Sequence, residues 1–287
     1  MRGCIMAEVV LAGLTKSFGA TRALADVTMT IPDGAFVVLL GPTGAGKTTI
    51  GERVAARLRT GRGAKPILVF LPGYASDMQG SKALALDAWA ADTGHGLLRL
   101  DYSGCGESQG RFEDGTLAQW RDDALTVINH VAPGPVVLIG SSMGGWIALL
   151  LAQALGARVK GLIGIAAAPD FTQWGFSEAE KAQMADAGRL LRPSDYGPEP
   201  MLTTQAFWQS GQSLCVLDGP LDINCPVRLL QGQQDPDVPW DLALRLAAQL
   251  RSADVQLHLV KDGDHRLSRE QDIRLLTDVT ARLMEIV

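Results

Sequence analysis

The sequence is poor in cysteine and histidine, with four of each among 287 residues, and it contains no long apolar run. Its cysteines form no C-x-x-C pair, which argues against a zinc site or a disulfide framework and favours free thiols in a reducing compartment. A membrane-spanning helix needs about 20 consecutive apolar residues. No segment approaches that length, so we expect no membrane span.

Basic residues are scarce relative to acidic ones. The formal net charge is −5 and no basic stripe is present, so nucleic acid is not an expected partner. The first residues lack the apolar core and cleavage site of a signal peptide, which predicts a cytoplasmic location. Hydrophobic residues make up 47% and charged residues 20% of the chain. This composition is typical of an ordinary globular protein and argues against disorder.

Short apolar segments alternate with helix-length amphipathic segments from about residue 66 onward. The apolar segments are rich in Val, Ile and Leu, as strands buried on both faces of a parallel sheet are. They are residues 67–71, 97–100, 136–140, 161–166, 227–230 and 255–260. The alternation predicts an α/β fold with a doubly wound, mostly parallel sheet. The chain is expected to end in a helix that Ser268 caps, with Glu270 in its first turn.

One segment, residues 169–224, breaks this alternation and is too long for a plain connection. Its sequence predicts a helix, a Pro-rich turn and a hairpin. We interpret it as a cap inserted over the carboxyl ends of the strands, which would bring Trp174, Phe207 and Trp208 over the site as an apolar acyl pocket. The alternative is an edge extension that buries its own aromatic side chains.

A candidate nucleophile follows the segment VVLIG. Ser142 is the centre of a G-x-S-x-G pattern, Gly140 to Gly144, with a predicted strand before it and a predicted helix after it. A serine on such a sharp turn projects above the sheet, while the helix N-terminus offers free N–H groups to a developing negative charge. The pattern alone is weak evidence, since about 0.2 chance matches are expected in a chain of this composition.

The partners that a nucleophilic serine needs follow in the order Ser, Asp, His that this strand–turn–helix arrangement favours. Asp235 comes soon after the predicted strand 227–230, at the carboxyl edge of the sheet, and would orient the base. Asp237, two residues later, is the competing candidate. His265 lies in a loop between the last strand and the last helix and is predicted to be the base. The other histidines fall in helices, in a strand or on the wrong edge.

Two backbone N–H groups are candidates for an oxyanion hole. One belongs to Met143, directly after the nucleophile. The other belongs to Tyr74, in the loop after strand 67–71, where Gly73 permits close backbone approach. The predicted chemistry is acyl transfer in two halves: Ser142 attacks a carbonyl while His265 takes its proton, and water later releases the acyl group. It requires neither a cofactor nor a metal ion.

From about residue 51 to its end, the chain resembles the α/β-hydrolase superfamily. Within that superfamily it resembles the branch of mitochondrial palmitoyl-protein thioesterases and acyl-glucuronide esterases and their bacterial relatives. The resemblance is carried by the stretches FLPGYASDMQGSKALALDAWA, LDYSGCGESQGRFEDGT, IGSSMGGWIALLLA, IAAAPDFT, CPVRLLQGQQDPDVPW and LVKDGDHRLS. It implies an α/β-hydrolase domain over residues 50–287 and a catalytic triad at Ser142, Asp235 and His265. It also implies an ester or thioester substrate, either a small molecule or an acylated protein.

The first 49 residues differ in character from the rest. They resemble the beginning of an ABC transporter ATPase of the sugar-import kind and end in a complete Walker A pattern, with Gly41, Gly46, Lys47 and Thr48. In an intact family member Phe18 would stack on adenine. Neither the signature motif nor an acidic Walker B strand follows, so we interpret residues 1–49 as a truncated, β-rich fragment. We predict that ATP neither binds appreciably nor is hydrolysed, and ATP binding lost in Lys47→Ala would contradict this.

Three classes of function remain at this point. The first is a cofactor-free serine esterase or thioesterase, the second a nucleotide-binding P-loop module, and the third a catalytically silent α/β-hydrolase scaffold. ATP binding separates the second from the others, and the reactivity of Ser142 separates the first from the third. The residues do not separate an ester from a thioester substrate, and they indicate no oligomeric state.

Overall fold

A computed structural model describes residues 9–18, 21–31, 36–39, 53–194 and 200–287; up to residue 53 only the backbone elements are described. The strands are β1 (Val9–Phe18), β2 (Thr21–Ile31), β3 (Phe36–Leu39), β4 (Arg53–Arg59), β5 (Ile67–Leu71), β6 (Leu97–Leu100), β7 (Val136–Ser141), β8 (Val159–Ile165), β9 (Arg189–Arg192), β10 (Met201–Thr204), β11 (Val227–Gly232) and β12 (Val255–Val260). The helices are α1 (Ser81–Thr93), α2 (Leu117–Val131), α3 (Met143–Leu155), α4 (Phe171–Trp174), α5 (Glu178–Ala187), α6 (Gln205–Gln212), α7 (Asp241–Gln249) and α8 (Glu270–Ile286).

The main sheet has the strand order β12-β11-β8-β7-β5-β6-β4-β3. The strands from β12 to β6 are all parallel, and β4 and β3 add antiparallel strands at one edge. This confirms the predicted doubly wound, mostly parallel α/β fold. The parallel strands carry their carboxyl ends to one edge of the sheet, where ligands bind in folds of this kind.

Helices cover both faces of the sheet because successive strand side chains point to opposite faces. In β7, Val136 and Leu138 pack into the core under α2, α3 and α7. Val137 and Ile139 pack into the opposite core, under α1 and α8. The near-continuous apolar sequence of these strands follows from this burial on both sides.

The cap contains α4, α5, the antiparallel pair β9–β10 and α6. Its two ends are joined through Asp170, whose buried carboxylate accepts the backbone N–H groups of Val216 and Leu217 at 2.8 Å each. Arg192 of β9 binds Glu180 of α5 through two hydrogen bonds of 2.7 Å. The strands β9 and β10 flank the Pro-rich turn, and residues 195–199 of that turn lie outside the described residues. The helix α6 is an element that the sequence did not predict.

The last helix begins differently from the prediction. Its N-cap is Arg269 rather than Ser268, because the carboxylate of Asp272 reaches back to accept the Arg269 N–H at 3.1 Å. Glu270 lies in the first turn, as predicted. The carboxylate of Asp272, a second acidic group in the first turn, shifts the N-cap by one residue.

The N-terminal segment contributes the antiparallel pair β1–β2 and the strand β3, which pairs with β4 and extends the main sheet across the predicted domain boundary at residue 50. Gly41, Gly46, Lys47 and Thr48 of the Walker A pattern lie outside the described residues, so nucleotide binding there stays a prediction. In the described part of the chain, no helix is both long and apolar enough to cross a bilayer.

Candidate active site

Ser142 lies on the turn between β7 and α3, with φ 54° and ψ −120°. A non-glycine residue in this region is strained, and such strain persists only where the surroundings hold it. The Ser142 N–H donates to the Ile165 carbonyl at 2.8 Å, and the Ser142 carbonyl accepts the Gly145 N–H at 2.9 Å. The turn also needs glycine at position 144, since a Cβ there would lie 2.1 Å from the Leu71 carbonyl oxygen.

The structure brings the three predicted triad residues into one hydrogen-bonded row. His265 Nε2 lies 3.1 Å from Ser142 Oγ, and His265 Nδ1 lies 2.9 Å from Asp235 Oδ2. A carboxylate accepts but cannot donate, so Nδ1 carries the proton and Nε2 is left to accept the hydroxyl proton of Ser142. The His265 side chain is 15% exposed and that of Asp235 is fully buried.

The hydrogen bonds of Asp235 explain how its carboxylate is directed at the histidine. Its Oδ1 accepts the backbone N–H groups of Asp237 and Val238, at 2.9 and 2.8 Å. This leaves Oδ2 directed at His265. Asp237 is exposed and contributes its N–H to the turn that aims Asp235.

Sequence reasoning missed Gln231, a buried side chain at the end of β11. Its Nε2 donates to Asp235 Oδ2 at 3.0 Å, beside the bond from His265. An amide directly after the apolar pair Leu229 and Leu230 was the available signal, because a buried polar side chain must find partners.

Asp235, Asp237 and His265 also form the one group in the described residues whose side-chain atoms come close enough to hold a metal ion, within 4.8 Å of one another. Two of them are joined by a hydrogen bond, and His265 also reaches Ser142. The group therefore has the contacts of a triad, and we assign no metal to it.

The candidate oxyanion donors both lie beside Ser142. Met143 is the first residue of α3, so its N–H is one of the groups that have no acceptor inside the helix. The loop after β5 passes over the nucleophile so closely that a Cβ at Gly73 would lie 3.3 Å from the Ser141 carbonyl oxygen and 4.0 Å from Ser142 Oγ. Tyr74 follows directly, as the prediction requires.

The loop that carries the candidate donor Tyr74, residues 72–78, is called here the oxyanion loop. Hydrogen bonds from the end of β6 and from the two residues after it hold this loop. Tyr102 donates its hydroxyl to the Pro72 carbonyl at 3.1 Å. Asp101 accepts the Met78 N–H at 2.7 Å, and Arg99 donates to the Met78 carbonyl at 2.9 Å. All three side chains are buried. Sequence reasoning missed these supports, although two of them directly follow a predicted strand at the carboxyl edge.

A cavity of about 670 Å³ opens over Ser142 and His265, within the range of small-molecule sites. The cap contributes an apolar wall, formed by Phe171, Trp174, Phe176 and Met201, together with the polar residues Arg192, Ser194 and Thr203. Outside the cap, Ser76, Asp77, Lys82 and Arg266 form a polar side of the lining.

Of the three cap aromatics that the sequence placed over the site, Trp174 lines the cavity, whereas Phe207 and Trp208 are absent from its described walls. Phe207 is 1% exposed and packs into the core against Tyr74 and Trp120. Trp208 packs inside the cap and donates its indole N–H to the Thr172 carbonyl at 2.9 Å. That part of the prediction is wrong because α6 turns both side chains away from the cavity.

Lys82, on the polar side, donates to the carbonyl of Arg266, the residue after the candidate base. Burial, followed by the nearby Arg266 charge, lowers the pKa of Lys82 to about 8. An unfolded lysine has a pKa of about 10.4, so the folded protein binds fewer protons between these values. Stability should therefore rise as pH increases through this window.

We expect the free energy of unfolding of the wild type, relative to that of Lys82→Met, to increase by about 1–2 kcal/mol between pH 7.5 and pH 10. Denaturant unfolding of both proteins at the two pH values measures this difference. The contributions of the other titrating groups are the same in both proteins and cancel. A difference that does not change with pH would contradict the lowered pKa.

Comparison with known proteins agrees with this geometry. The model of the alpha/beta hydrolase family matches residues 68–278, and the chain belongs to that family. The human mitochondrial palmitoyl-protein thioesterase ABHD10 is 39% identical over 234 residues, covering 79% of this chain and 76% of the relative. The resemblance to the palmitoyl-protein thioesterase branch is thus confirmed.

Two solved structures are also similar. A putative hydrolase from Agrobacterium vitis S4 has a TM-score of 0.81 and 41% identity, covering 87% of this chain and 99% of its own. Mouse alpha/beta hydrolase domain-containing protein 10 has a TM-score of 0.78 and 34% identity, covering 88% and 99%. Both share the fold nearly from end to end.

A shorter match accounts for a different part of the sequence. A probable ribonucleotide transport ATP-binding protein of Mycobacterium tuberculosis is 52% identical over 52 residues, which is 18% of this chain and 14% of the relative. This supports the resemblance to an ABC transporter ATPase, while the sugar-import kind stays a prediction. Because so little of the relative is covered, its activity is not transferred to this chain.

Proposed function

We propose that this protein is a serine hydrolase that cleaves carboxylic esters or acyl thioesters through an acyl-enzyme intermediate. The observation that carries the proposal is the row of hydrogen bonds from Ser142 Oγ through the His265 ring to the buried Asp235 carboxylate. This row ends on a strained turn at the N-terminus of α3. Membership of the alpha/beta hydrolase family supports it.

In the first half of the proposed reaction, Ser142 Oγ attacks the acyl carbon while His265 Nε2 takes its proton. The negative charge that develops on the acyl oxygen is met by the N–H groups of Met143 and Tyr74. The imidazolium, stabilised by Asp235, then protonates the departing alcohol or thiol. In the second half His265 takes a proton from water, the resulting hydroxide attacks the acyl carbon, and Ser142 leaves with the proton.

The substrate that we propose is an acyl thioester or ester with a long or bulky acyl group, on a small molecule or an acylated protein. The names of the mammalian relatives as palmitoyl-protein thioesterases support this class. The apolar cap wall, which would pack against the acyl chain, supports it as well. A cytoplasmic location stays a prediction from the sequence, while those relatives carry mitochondrial names.

The test is turnover by the purified full chain on matched substrates, an S-octanoyl thioester and the corresponding octanoyl ester. Hydrolysis of one or both, with release of free octanoate, is the expected result. A folded protein that hydrolyses neither substrate would contradict the proposal and favour the catalytically silent scaffold.

The position of Trp174 leads to a prediction about acyl-chain length. The wild type should hydrolyse octanoyl esters faster than acetyl esters, because the longer chain buries apolar surface against the cap wall. Trp174→Ala should reduce this preference by about 5- to 30-fold in kcat/KM, since burial of a large side chain contributes about 1–2 kcal/mol. The readout is the ratio of kcat/KM for the two esters.

Trp208→Ala is the matched control, because Trp208 lies in the same cap but outside the described cavity walls. Its ratio should stay close to that of the wild type. Equal rates on acetyl and octanoyl esters in the wild type would contradict the acyl pocket. An equal loss of preference in both variants would mean that the cap as a whole, rather than this wall, sets it.

A further inference from the structure

Tyr74 belongs to the oxyanion loop, and its side chain reaches the cap. Its backbone lies beside Ser142, through the close approach of Gly73, while its side chain points into the cap–core junction. The Tyr74 hydroxyl donates to the carbonyl of Leu202, in β10, at 2.6 Å. The loop and the cap hairpin are therefore joined by one side chain.

The ring of Tyr74 is enclosed by aromatic side chains from both parts of the molecule. From the cap it meets Phe207 and Phe171, with ring centroids 4.8 and 6.1 Å away. From the rest of the domain it meets Phe112 and Trp120, at 5.2 and 5.7 Å. These contacts fix the direction of the ring and aim the hydroxyl at β10.

The Tyr74 hydroxyl keeps its proton at neutral pH. Burial raises the pKa of Tyr74 above its usual value, with the Thr203 side chain as a hydrogen-bond partner that opposes the shift. A neutral phenol at this position remains a donor to β10.

The supports of the oxyanion loop differ in origin. Tyr102, Asp101 and Arg99 hold its two ends from the end of β6 and the residue pair that follows. Between those ends, Tyr74 is linked to the cap by its hydrogen bond to Leu202. Without that bond, the loop would keep the supports at its ends and lose its polar link to the cap.

We propose that the Tyr74 side chain is a positioning group that holds the Tyr74 backbone N–H in the oxyanion hole by anchoring it to the cap hairpin. The inference rests on the proposed function. It makes the cap a part of the apparatus that stabilises the transition state, in addition to being a wall of the acyl pocket. A donor that is misplaced by a fraction of an ångström loses much of its effect on the developing oxyanion.

The test compares the wild type with Tyr74→Phe, which keeps the ring and removes only the hydroxyl. We expect kcat to fall about tenfold, less than the 10²–10³ that loss of a whole donor costs, with KM for the octanoyl ester nearly unchanged. A role in packing alone predicts wild-type kcat in this variant. Replacing Tyr74 with p-aminophenylalanine, which restores a donor at the same place, should recover most of the lost kcat.

A trifluoromethyl ketone gives a readout specific to the oxyanion, since Ser142 adds to its carbonyl and leaves a charged oxygen in the hole. The inhibition constant of the ketone should rise in Tyr74→Phe by the same factor by which kcat/KM falls. Trp208→Phe is the matched control: it removes an aromatic donor to a cap carbonyl without touching the loop, and both values should remain at wild-type level.

The possible failures are distinct. A wild type that neither turns over esters or thioesters nor binds the ketone would contradict the proposed function itself. An active wild type with unchanged kcat and ketone affinity in Tyr74→Phe would overturn the positioning role of Tyr74 and leave the triad intact. Equal losses in Tyr74→Phe and Trp208→Phe would also overturn it, because they would point to cap stability instead.

Discussion

Ser142→Ala is expected to lower kcat by about 10⁴- to 10⁶-fold, because it removes the hydroxyl that lies against His265 Nε2. The substitution removes only the hydroxyl. The fold should persist, since the Ser142 backbone bonds to Ile165 and Gly145 are unaffected. The measurement is turnover of the octanoyl thioester, with circular dichroism to verify the fold.

Ser252→Ala serves as the control for removal of a serine hydroxyl. Ser252 lies before β12, outside the described cavity walls; its hydroxyl donates to the Asp254 carbonyl at 3.4 Å and accepts the Asp254 N–H at 3.2 Å, both local bonds away from the site. Its kcat should equal that of the wild type. A Ser142→Ala protein with more than about a tenth of wild-type activity would contradict the assignment of the nucleophile.

Asp235→Asn is expected to lower kcat by about 10⁴-fold with little change in structure. The backbone N–H groups of Asp237 and Val238 require an oxygen at the Oδ1 position. The new amide N–H₂ must therefore point at His265 Nδ1 and at the Gln231 Nε2 donor. Two N–H donors would then face each other. His265 would therefore carry its proton on Nε2 instead of Nδ1, and Nε2 could no longer accept the hydroxyl proton of Ser142.

The comparison that decides between the two aspartates is Asp237→Asn. Because His265 Nδ1 donates its hydrogen bond to Asp235, while Asp237 contributes its backbone N–H to the turn that directs Asp235, the change in kcat should stay below about tenfold. Parallel steady-state assays of both variants measure this. A larger loss in Asp237→Asn than in Asp235→Asn would reverse the assignment.

Much of the fold followed from local sequence. The predicted strands appear within a few residues of their expected bounds because strands buried on both faces must be apolar throughout, as in β7. The order Ser142, Asp235, His265 was readable because each residue follows a predicted strand. The sequence favoured Asp235 over Asp237 because Asp235 lies nearer the strand end, but the hydrogen bonds by which the turn directs this carboxylate inward were not readable from it.

What the sequence did not reveal depends on contacts between distant segments. Phe207 and Trp208 are neighbours on α6, and only the packing of that helix decides that neither faces the described cavity. The support of the oxyanion loop by Tyr102 and the bond from Tyr74 to Leu202 join residues 30 and 128 positions apart. No local pattern reports such pairs. The pairing of β3 with β4 across the predicted boundary is of the same kind.

The central claim is that Ser142 is an activated nucleophile, and labelling with a fluorophosphonate tests it most directly. Intact-mass analysis of the full chain should show one adduct on the wild type, mapped by peptide analysis to the segment that contains Ser142, and none on Ser142→Ala. A folded wild type that gains no adduct, or a Ser142→Ala protein that is still labelled, would contradict the account.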